Sequence, residues 1–407
     1  MIRILHTSDW HIGKQLKKVD FYEDMELFFE WLLTTIENEE IDVLLMSGDL
    51  FDLANPSQTA MQQYYGFLRR MIDLPRKCKC ILTGGNHDSA LLLNAPKQLL
   101  QLLDISIVGG MPEQLSDVFI PMNINGQDLV VAAVPYLRDR DIRKSVAGES
   151  YDEKTSQLRA GLKAYFDEVN THYKEHFKDI PFIIMAHLFA SGASVTDSER
   201  DIQIGNQAGI DSTVFGNEAT YVALGHIHRP QRIGSDFIRY SGSPLPFSFS
   251  ERKDEKSVVI LTLENNELKT TIKPIPSFRK LVHVKGSLQE VKKVLENYAT
   301  NSPQKDLLEV QIMEPTYSVT VIQEVANLRS QYENSPFEIV SEKVLFENQV
   351  KETGTLLQKG DQIGNYSPLE LFQKRLDQDE VLKNDERLIH AFQQLIEEIH
   401  QEQQDKN

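Results

Sequence analysis

Short apolar runs alternate with longer amphipathic stretches over the first 275 residues. Runs of strand length lie at residues 2–5, 41–46, 80–83, 129–135, 181–186, 221–224 and 258–263. Apolar residues recur with helical spacing over residues 21–37, 57–72 and 156–177, and Ser57 is a suitable N-cap residue for the second of these. Strands and helices that alternate at first and then give way to mostly strands predict an α/β domain of packed layers with a mixed sheet.

A change of pattern at residues 273–279 predicts a domain boundary. This segment, Lys-Pro-Ile-Pro-Ser-Phe-Arg, has two prolines in four residues, which disfavours helix and favours an extended connector. The pattern after it predicts a small α+β unit with strand, helix, strand, helix and strand at residues 280–284, 288–298, 307–312, 319–332 and 337–344. We therefore expect domains at residues 1–275 and 276–347, followed by a linker and C-terminal helices at 348–407.

The C-terminal region carries two amphipathic segments. Residues 367–370, Ser-Pro-Leu-Glu, have the order of a helix start, with an N-cap, a proline at the first position and a glutamate three residues after the cap. The apolar residues that follow with helical spacing are Leu369, Phe372 and Leu376 in the first segment, and Leu388, Phe392, Leu395, Ile396 and Ile399 in the second. Two short helices cannot bury both stripes alone. They either pack back onto the body or dock into a groove of another protein.

Composition and charge limit the classes of partner and compartment. The 407 residues carry 43 Lys and Arg against 60 Asp and Glu, a formal charge of −17, so the chain as a whole lacks the basic character of a nucleic-acid-binding protein. Any phosphate must therefore bind local basic patches or metal. The two cysteines, Cys78 and Cys80, form neither a disulfide framework nor a CxxC zinc pair. Without a signal peptide or a membrane-spanning run, we expect a cytoplasmic protein.

Polar motifs follow five of the predicted strands. They are Asp9-Trp-His11, Gly48-Asp49, Gly85-Asn86-His87-Asp88, His187 and Gly225-His226-Ile227-His228. Because the carboxyl ends of strands in α/β sheets gather at one crevice, these five loops are expected to converge. Carboxylate, amide and imidazole ligands without thiolate suit hard or borderline divalent cations. The neighbouring glycines permit tight turns, and two such cations would make the site electropositive despite the acidic chain.

This ordered set of motifs resembles the calcineurin-like metallophosphoesterase superfamily, whose pattern D-x-H, G-D, G-N-H-[DE], H and G-H-x-H is present over residues 9–228. The resemblance implies an α/β fold, a four-layer α/β/β/α sandwich with a dinuclear metal centre at one edge. It assigns one cation to Asp9, His11 and His228, a second to Asn86, His187 and His226, and a bridging position to Asp49. His87 would act on the scissile phosphate, and Asp88 would orient His87 through its ring N–H.

The sequence around the motifs resembles one branch of that superfamily, the bacterial nuclease subunits that work with a coiled-coil ATPase. The segments that carry this likeness are LHTSDWHIGKQL, MSGDLFDLANPS, TGGNHDS and LGHIHRPQ. The likeness implies manganese as the metal, a DNA-capping domain of βαββα-like order, C-terminal helices that bind the ATPase, and a homodimer. It also implies an ATP-dependent exonuclease on duplex ends and an endonuclease on single strands and hairpins. The chain lacks a GxxxxGK[ST] motif, so ATP would be hydrolysed by the partner.

Some positions allow two interpretations. Archaeal and eukaryotic relatives carry a histidine where this chain has Asp52, and we assign Asp52 no catalytic role. The basic residues Lys14, Lys17, Arg138 and Arg140 are candidates for contact with DNA phosphates, although such charges often lie on a solvated face. Trp10 and Phe51 either line the groove or, as we prefer, pack in the core. The dimer would use residues 57–72 and 90–95, whose apolar residues are explained equally well by packing within one chain.

Two other functions compete with the nuclease. A phosphodiesterase or phosphatase acting on small molecules or phosphoproteins would use the same motifs, but would need neither a capping domain nor docking helices. A scaffold that has lost its ligands is disfavoured, because every ligand position of the pattern is filled here.

Overall fold

A computed structural model describes residues 1–143, 150–194 and 209–346, and single positions between 369 and 392. The strands are β1 (Ile2–Thr7), β2 (Gln15–Leu16), β3 (Val19–Asp20), β4 (Val43–Ser47), β5 (Lys79–Thr83), β6 (Ile105–Val108), β7 (Phe119–Ile124), β8 (Gln127–Ala133), β9 (Phe182–His187), β10 (Tyr221–Gly225), β11 (Gln231–Ile233), β12 (Ser235–Tyr240), β13 (Ser257–Glu264), β14 (Glu267–Pro274), β15 (Leu281–Gly286), β16 (Asp306–Glu314) and β17 (Phe337–Phe346). The helices are α1 (Tyr22–Asn38), α2 (Gln58–Ile72), α3 (Ala90–Asn94), α4 (Lys97–Gln101), α5 (Asp139–Ile142), α6 (Tyr151–His176), α7 (Leu288–Glu296), α8 (Val319–Ala326) and α9 (Leu328–Gln331).

Two six-stranded mixed sheets form the centre of the first part of the chain. The first has the order β14-β13-β1-β4-β5-β6, and its strands β1, β4, β5 and β6 are parallel. The second has the order β11-β12-β10-β9-β8-β7, with parallel strands from β12 to β8. Parallel strands buried on both faces are continuous apolar runs in the sequence, and this is why β1, β4, β5, β8, β9 and β10 were predicted from the sequence. The parallel strands β6 and β12 were not predicted.

The sheets pack face to face with helices outside them. One apolar core joins side chains of both sheets, such as Ile4 and Leu45 with Ile183, and extends to Phe166 on α6. A second core lies on the other face of the first sheet and includes aromatic side chains of α1 and α2, such as Phe28. The layers are therefore helix, sheet, sheet and helix. The predicted four-layer α/β/β/α sandwich is confirmed.

Most of the predicted elements are present, and the differences have physical causes. Ser57 caps α2 by accepting a hydrogen bond from the backbone N–H of Ala60, as predicted. Helix α6 starts earlier than predicted, because Ser150 and Glu153 form a capping box at its first turn. Strand β14 was missed because it is a largely exposed, polar edge strand whose register is set by pairing with β13.

The region after β14 contains a three-stranded sheet of order β15-β16-β17 with helices between its strands. The chain order is strand, helix, strand, helix and strand, so the βαββα-like order expected from the resemblance is wrong. The helical segment predicted as one unit is divided at Asn327 into α8 and α9. Ser287 and Glu290 form a capping box at the start of α7.

Packing divides the described chain into two compact units. The first takes Met1–His283, Ala299–Glu309 and Tyr332–Ser341, and the second takes Val284–Tyr298, Val310–Gln331 and the described residues from Glu342 onward. The three-domain division at residues 275 and 347 stays a prediction. Most of the segment 348–407 lies outside the described residues, including Leu395, Ile396 and Ile399.

Two of the apolar C-terminal residues are in direct contact. The rings of Phe372 and Phe392 stack at a centroid distance of 4.0 Å and an interplanar angle of 11°. Leu376, one turn after Phe372, is buried. The two predicted apolar stripes therefore meet at least at these positions. Among the described helices, none has the length and apolar character needed to cross a membrane.

Candidate metal centre

Five loops meet at the carboxyl ends of the central strands of both sheets. Asp9 and His11 follow β1, and their backbone N–H groups donate to the carbonyl oxygens of Gly48 and Asp49, each at 3.0 Å. The backbone N–H of His226, which follows β10 in the other sheet, donates to Oδ1 of Asp9 at 2.8 Å. Backbone hydrogen bonds therefore hold the loops of the two sheets together before any side chain binds a cation.

The first group of candidate ligands consists of Asp9, His11 and His228, all buried, with ligand atoms within 4.8 Å of one another. Nε2 of His11 lies 3.2 Å from Nε2 of His228. Two imidazole nitrogens at this distance beside a carboxylate are arranged as ligands of one cation.

The second group consists of Asp49, His187 and His226, which satisfy the same distance limit. The amide oxygen of Asn86 lies 2.9 Å from Nε2 of His187 and 3.0 Å from Nδ1 of His226. The assigned set of Asn86, His187 and His226 is therefore brought together.

Asp49 lies between the two groups. Its Oδ2 is 3.3 Å from Nε2 of His187 and 3.6 Å from Nε2 of His11. Its Oδ1 accepts a hydrogen bond from the backbone N–H of His87 at 2.9 Å. One carboxylate oxygen thus faces both groups, which is the position that a bridging ligand needs.

Four of the candidate ligands have a strained backbone. Asp9, His11, Asp49 and His226 have φ values of 54°, 46°, 55° and 105°, in the region that favours glycine. Such conformations cost of order 1–3 kcal/mol each and are found where a site fixes its side chains. The strain shows that the fold gives up stability to aim these ligands inward.

Glycines make the close approach of the loops possible, in two different ways. Gly48 has a φ of 82°, and is the turn residue that the sequence predicts beside Asp49. Gly225 has no such backbone requirement, but a Cβ there would collide with the carbonyl oxygen of Ser47 and lie 2.9 Å from Nδ1 of His187. A Cβ at Gly85 would collide with Asp49. These two glycines therefore serve close packing and not turn geometry.

Burial and charge set the protonation of the histidines. Burial alone would lower the pKa of His187, but the Asp49 carboxylate raises it to about 9. Burial alone would raise the pKa of Asp49, yet His187 and His11 hold it well below its usual value. Burial lowers the pKa of His226 to about 3 and also lowers that of His11. His226 and His11 are therefore neutral near pH 7, which is the form that binds metal.

His87 is partly exposed beside the first group, and its ring meets that of His11 edge to face at a centroid distance of 4.8 Å. Its Nδ1 lies 2.7 Å from the backbone carbonyl oxygen of Asp52. A carbonyl oxygen only accepts, so this contact assigns the proton to Nδ1 and directs Nε2 away from it. His87 thus lies next to the candidate ligand His11 with a fixed tautomer.

Asp88 does not orient His87, so that expectation was wrong. Its carboxylate instead accepts hydrogen bonds from the backbone N–H groups of Leu50, Phe51 and Gly85 at 2.8–3.1 Å. Burial, together with the nearby Asp49 carboxylate, raises the pKa of Asp88 to about 6. Asp88 therefore ties two metal loops together through their backbones, a contact that a sequence pattern does not reveal.

The candidate DNA contacts occupy different environments. Nζ of Lys14 lies 2.8 Å from Oδ1 of Asp52, so this lysine already neutralises a carboxylate at the centre. Lys17 is exposed in the turn between β2 and β3. Arg138 and Arg140 are exposed at the start of α5, and Nε of Arg140 lies 3.8 Å from Asp141.

Three buried aromatic residues, Trp10, Phe51 and Phe247, lie in or next to the loops of the centre. Trp10 and Phe51 are buried, which agrees with core packing rather than with a groove. Phe247 meets His11 and His228 edge to face at 5.6 and 5.8 Å. Sequence reasoning did not single out Phe247. It follows the Ser-Gly-Ser-Pro segment after β12 and reaches the centre only through the tertiary fold.

Two further residues at the centre were missed, for different reasons. Tyr136 lies near the end of β8 and its ring is 6.2 Å from that of His187, so the strand-end rule could have found it. Glu251 is fully buried and contacts His228 at 3.2 Å. No motif marks Glu251, because its proximity arises from the packing of a short turn against the last metal loop.

The donor set fits divalent metal ions. Carboxylate oxygens, one amide oxygen and imidazole nitrogens converge. Thiolates are absent from the groups described here, since Cys78 and Cys80 are buried elsewhere, just before and within β5. Such mixed oxygen and nitrogen sets suit borderline first-row cations. One of these nitrogens, Nε2 of His187, faces the Asp49 carboxylate at 3.3 Å. A proton on this nitrogen occupies the lone pair that a cation would need, so proton and cation compete for it.

Comparison with known proteins agrees with this geometry. Residues 2–230 match the calcineurin-like phosphoesterase family, and residues 277–380 match a family described as the type 5 capsule protein repressor C-terminal domain. The SbcD subunit of the SbcCD nuclease from Escherichia coli K12 is 30% identical over 404 residues, which cover 96% of this chain and 97% of that relative. The corresponding SbcD protein of Bacillus subtilis is 34% identical over 269 residues, covering 65% and 67%. With a catalytic-domain match over more than half of its length and a relative matched almost end to end, this chain belongs to the calcineurin-like phosphoesterases and, among them, to the SbcD family of SbcCD nuclease subunits.

Proposed function

We propose that this chain is the DNA nuclease subunit of an SbcCD-type complex and works with an SbcC-type ATPase. Its activities would be an ATP-dependent 3′–5′ exonuclease on duplex DNA and an endonuclease on single strands and hairpins, used in DNA repair, recombination and replication. The observation that carries the proposal is the convergence of both ligand groups on Asp49, with the His87 imidazole beside them.

Each of the two groups of side chains described above would hold one metal ion. Asp9, His11 and His228 would hold one cation, Asn86, His187 and His226 the other, and Asp49 both. When bound, two divalent cations supply the positive charge that activates water and neutralises charge on the phosphate. We propose manganese as the ion, from the family resemblance.

The chain's own contribution to the reaction centres on His87. As water adds to phosphorus, the bond from phosphorus to the leaving sugar oxygen breaks, and that oxygen must take up a proton. Nδ1–H of His87 stays on the carbonyl oxygen of Asp52, so the ring must be doubly protonated to act as an acid. In that form Nε2–H of His87 can deliver this proton or donate a hydrogen bond to the phosphate. Asp88 supports this by tying the loops that carry Asp49 and Asn86.

Partners and location complete the proposal. DNA phosphates would contact the exposed Lys17, Arg138 and Arg140, while Lys14 acts beside Asp52. The C-terminal helices, whose Phe372 and Phe392 stack, would bind the ATPase. We expect a homodimer within a heterotetramer. The cytoplasm, where DNA is present and free thiols such as Cys78 and Cys80 stay reduced, is the proposed location.

The test is cleavage of an end-labelled DNA hairpin by the purified chain with manganese, with and without an SbcC-type partner and ATP. We expect hairpin opening that increases with partner and ATP and is lost in His87→Ala while metal content is kept.

The same preparation should also be assayed on a small chromogenic phosphodiester. If the protein binds two metal ions and cleaves this diester but never DNA, the nuclease proposal is overturned in favour of a small-substrate phosphodiesterase. If the protein binds no metal ions, the catalytic proposal itself fails and a scaffold role is indicated.

A further inference from the structure

The metal ligand His228 is held from behind by a buried carboxylate. Its Nε2 faces His11 in the first ligand group, at 3.2 Å, and its Nδ1 lies 3.2 Å from Oε1 of Glu251. A carboxylate only accepts hydrogen bonds, so Nδ1 carries the proton and Nε2 presents its lone pair to the centre. Glu251 is fully buried and His228 nearly so. The contact therefore fixes both the tautomer and the ring orientation.

Glu251 is in turn held by a buried lysine. Nζ of Lys256 lies 2.6 Å from Oε2 of Glu251, and also donates to Oγ of Ser243 and to the carbonyl oxygen of His228, each at 2.9 Å. The backbone N–H of Phe247 donates to the same Glu251 oxygen at 3.3 Å. A lone buried carboxylate would be costly, and the lysine compensates its charge. Histidine, glutamate and lysine thus form one connected unit.

The other histidine of the first group has a similar arrangement nearer to solvent. Nδ1 of His11 lies 3.3 Å from Oδ1 of Asp52, and Nζ of Lys14 lies 2.8 Å from the same oxygen. This is an electrostatic contact without hydrogen-bond geometry at His11. Both histidines of the first group are therefore backed by a carboxylate that is paired with a lysine.

The second ligand group is built differently. Nδ1 of His187 lies 3.0 Å from the backbone carbonyl oxygen of Ser47, which is a neutral acceptor. A carboxylate behind a metal-binding imidazole makes the imidazole a stronger donor than a neutral carbonyl does. His228 and His11 of the first group are thus backed by carboxylates, whereas His187 of the second group is backed by a neutral carbonyl.

We propose that Glu251, with Lys256, is a positioning residue for the metal ligand His228, and that Asp52, with Lys14, plays the same part for His11. Their charge makes the first position, formed by Asp9, His11 and His228, the tighter of the two metal sites. The inference rests on the dinuclear centre of the proposed function but not on its substrate. Loss of a partner of this kind commonly weakens metal binding by about 10- to 100-fold.

The test is calorimetric titration of the metal-free protein with Mn²⁺, together with measurement of bound metal. Wild type should bind two ions with different affinities. His228→Ala should abolish the tight phase and His187→Ala the weak one, which assigns the phases to the positions. Glu251→Gln should then weaken the tight phase by about 10- to 100-fold and leave the weak phase unchanged.

Two additional variants protect the test against unfolding. Glu251→Gln leaves Lys256 buried without its partner, so the double variant Glu251→Gln/Lys256→Met removes both charges, and should show the same weakened phase. Asp52→Asn, at a partly exposed residue, should weaken that phase as well. The matched control is Asp42→Asn, which changes a buried carboxylate that is paired with Arg76. Asp42 directly precedes the first residue of β4, whereas the metal centre follows the last residue of this strand. The control should bind Mn²⁺ like wild type.

Wild-type affinity for both ions in folded Glu251→Gln/Lys256→Met would overturn the positioning role. A weakened phase that coincides with the one lost in His187→Ala would overturn the assignment to the first position. If wild-type protein itself bound no Mn²⁺, the metal centre of the proposed function would fail instead, so the two failures are distinguishable.

Discussion

Nδ1 of His87 lies 2.7 Å from the backbone carbonyl oxygen of Asp52. This single contact fixes the tautomer of the one imidazole in the motif set that is not assigned to a metal ion. Because the partner is a backbone atom, the contact does not depend on the side chain at position 52. A histidine and an aspartate at this position can therefore both support the same orientation of His87.

We expect His87→Ala to lower kcat by about 10²- to 10⁴-fold, the usual contribution of a positioned acid or base. Metal content should not change, because His87 belongs neither to the ligand group of Asp9 nor to that of Asn86. The measurement is single-turnover cleavage of a DNA hairpin beside metal analysis. His172→Ala is the control and should retain full activity, because this half-buried residue of α6 contacts Phe119 and belongs to neither ligand group. Loss of metal in His87→Ala would contradict this role.

Gly225→Ala should disrupt the metal centre although the substitution adds only one methyl group. The new Cβ would collide with the carbonyl oxygen of Ser47 and crowd the His187 ring, and backbone cannot yield as a flexible side chain does. We expect a lower melting temperature and loss of metal binding. Gly66→Ala, on α2, is the matched control, since a Cβ added at Gly66 would have no neighbouring atom within 4 Å. That variant should gain about 0.5–1 kcal/mol in unfolding free energy. Normal metal binding in Gly225→Ala would refute the packing argument.

The connector after β14 is anchored by a buried ion pair, in which Nη2 of Arg279 lies 2.8 Å from Oδ2 of Asp24. Arg279→Met would leave the Asp24 carboxylate buried without its partner, and should lower the unfolding free energy by about 3–5 kcal/mol. The double variant Asp24→Asn/Arg279→Met should recover much of this loss. Urea unfolding of wild type, Asp24→Asn, Arg279→Met and the double variant measures the coupling energy between the two residues. Additive effects of the two single substitutions would contradict this coupling.

Burial raises the pKa of Cys78 to about 12 and that of Cys80 well above its usual value. In the unfolded chain these thiols ionise near pH 9, so the unfolded state gains thiolate first as pH rises. Stability contributed by the buried thiols should be complete below pH 9 and should decline between pH 9 and about 12. At pH 8 an aromatic disulfide reagent should react slowly with native protein and fast in urea. Rapid labelling of the native protein would contradict the burial.

The expected dimer gives exposed apolar residues a role. Leu91 on α3 and Leu99 on α4 are 85% and 64% exposed, in or next to the segment that the resemblance assigns to the interface. Leu91→Lys should raise the dimer dissociation constant by roughly tenfold or more, because interface anchors commonly contribute over 1 kcal/mol. Sedimentation velocity measures this. Phe237→Lys, at an exposed residue on β12 of the other sheet, should leave the dimer unchanged. A monomeric wild type would remove the basis of this prediction.

The sequence by itself determined the layered α/β fold and predicted the residues that the structure brings together at the candidate metal centre. Buried parallel strands are written as continuous apolar runs, and the rule that strand ends converge brings Asp9, Asn86 and His226 together without any knowledge of distances. Ser57 as a helix cap was likewise predictable, because capping depends on residues close in sequence.

Only the tertiary structure decided what stands behind those ligands. Glu251 and Lys256 lie 23 and 28 residues after His228 and carry no motif. Asp88 was given the wrong partner because its hydrogen bonds run to backbone N–H groups, two of them in another loop. The left-handed backbone at Asp9 and Asp49 was also hidden, since neither is glycine. The local sequence pattern indicates which residues are candidates for the site. Contacts between distant segments, which depend on how the two sheets pack, decide their orientation and charge.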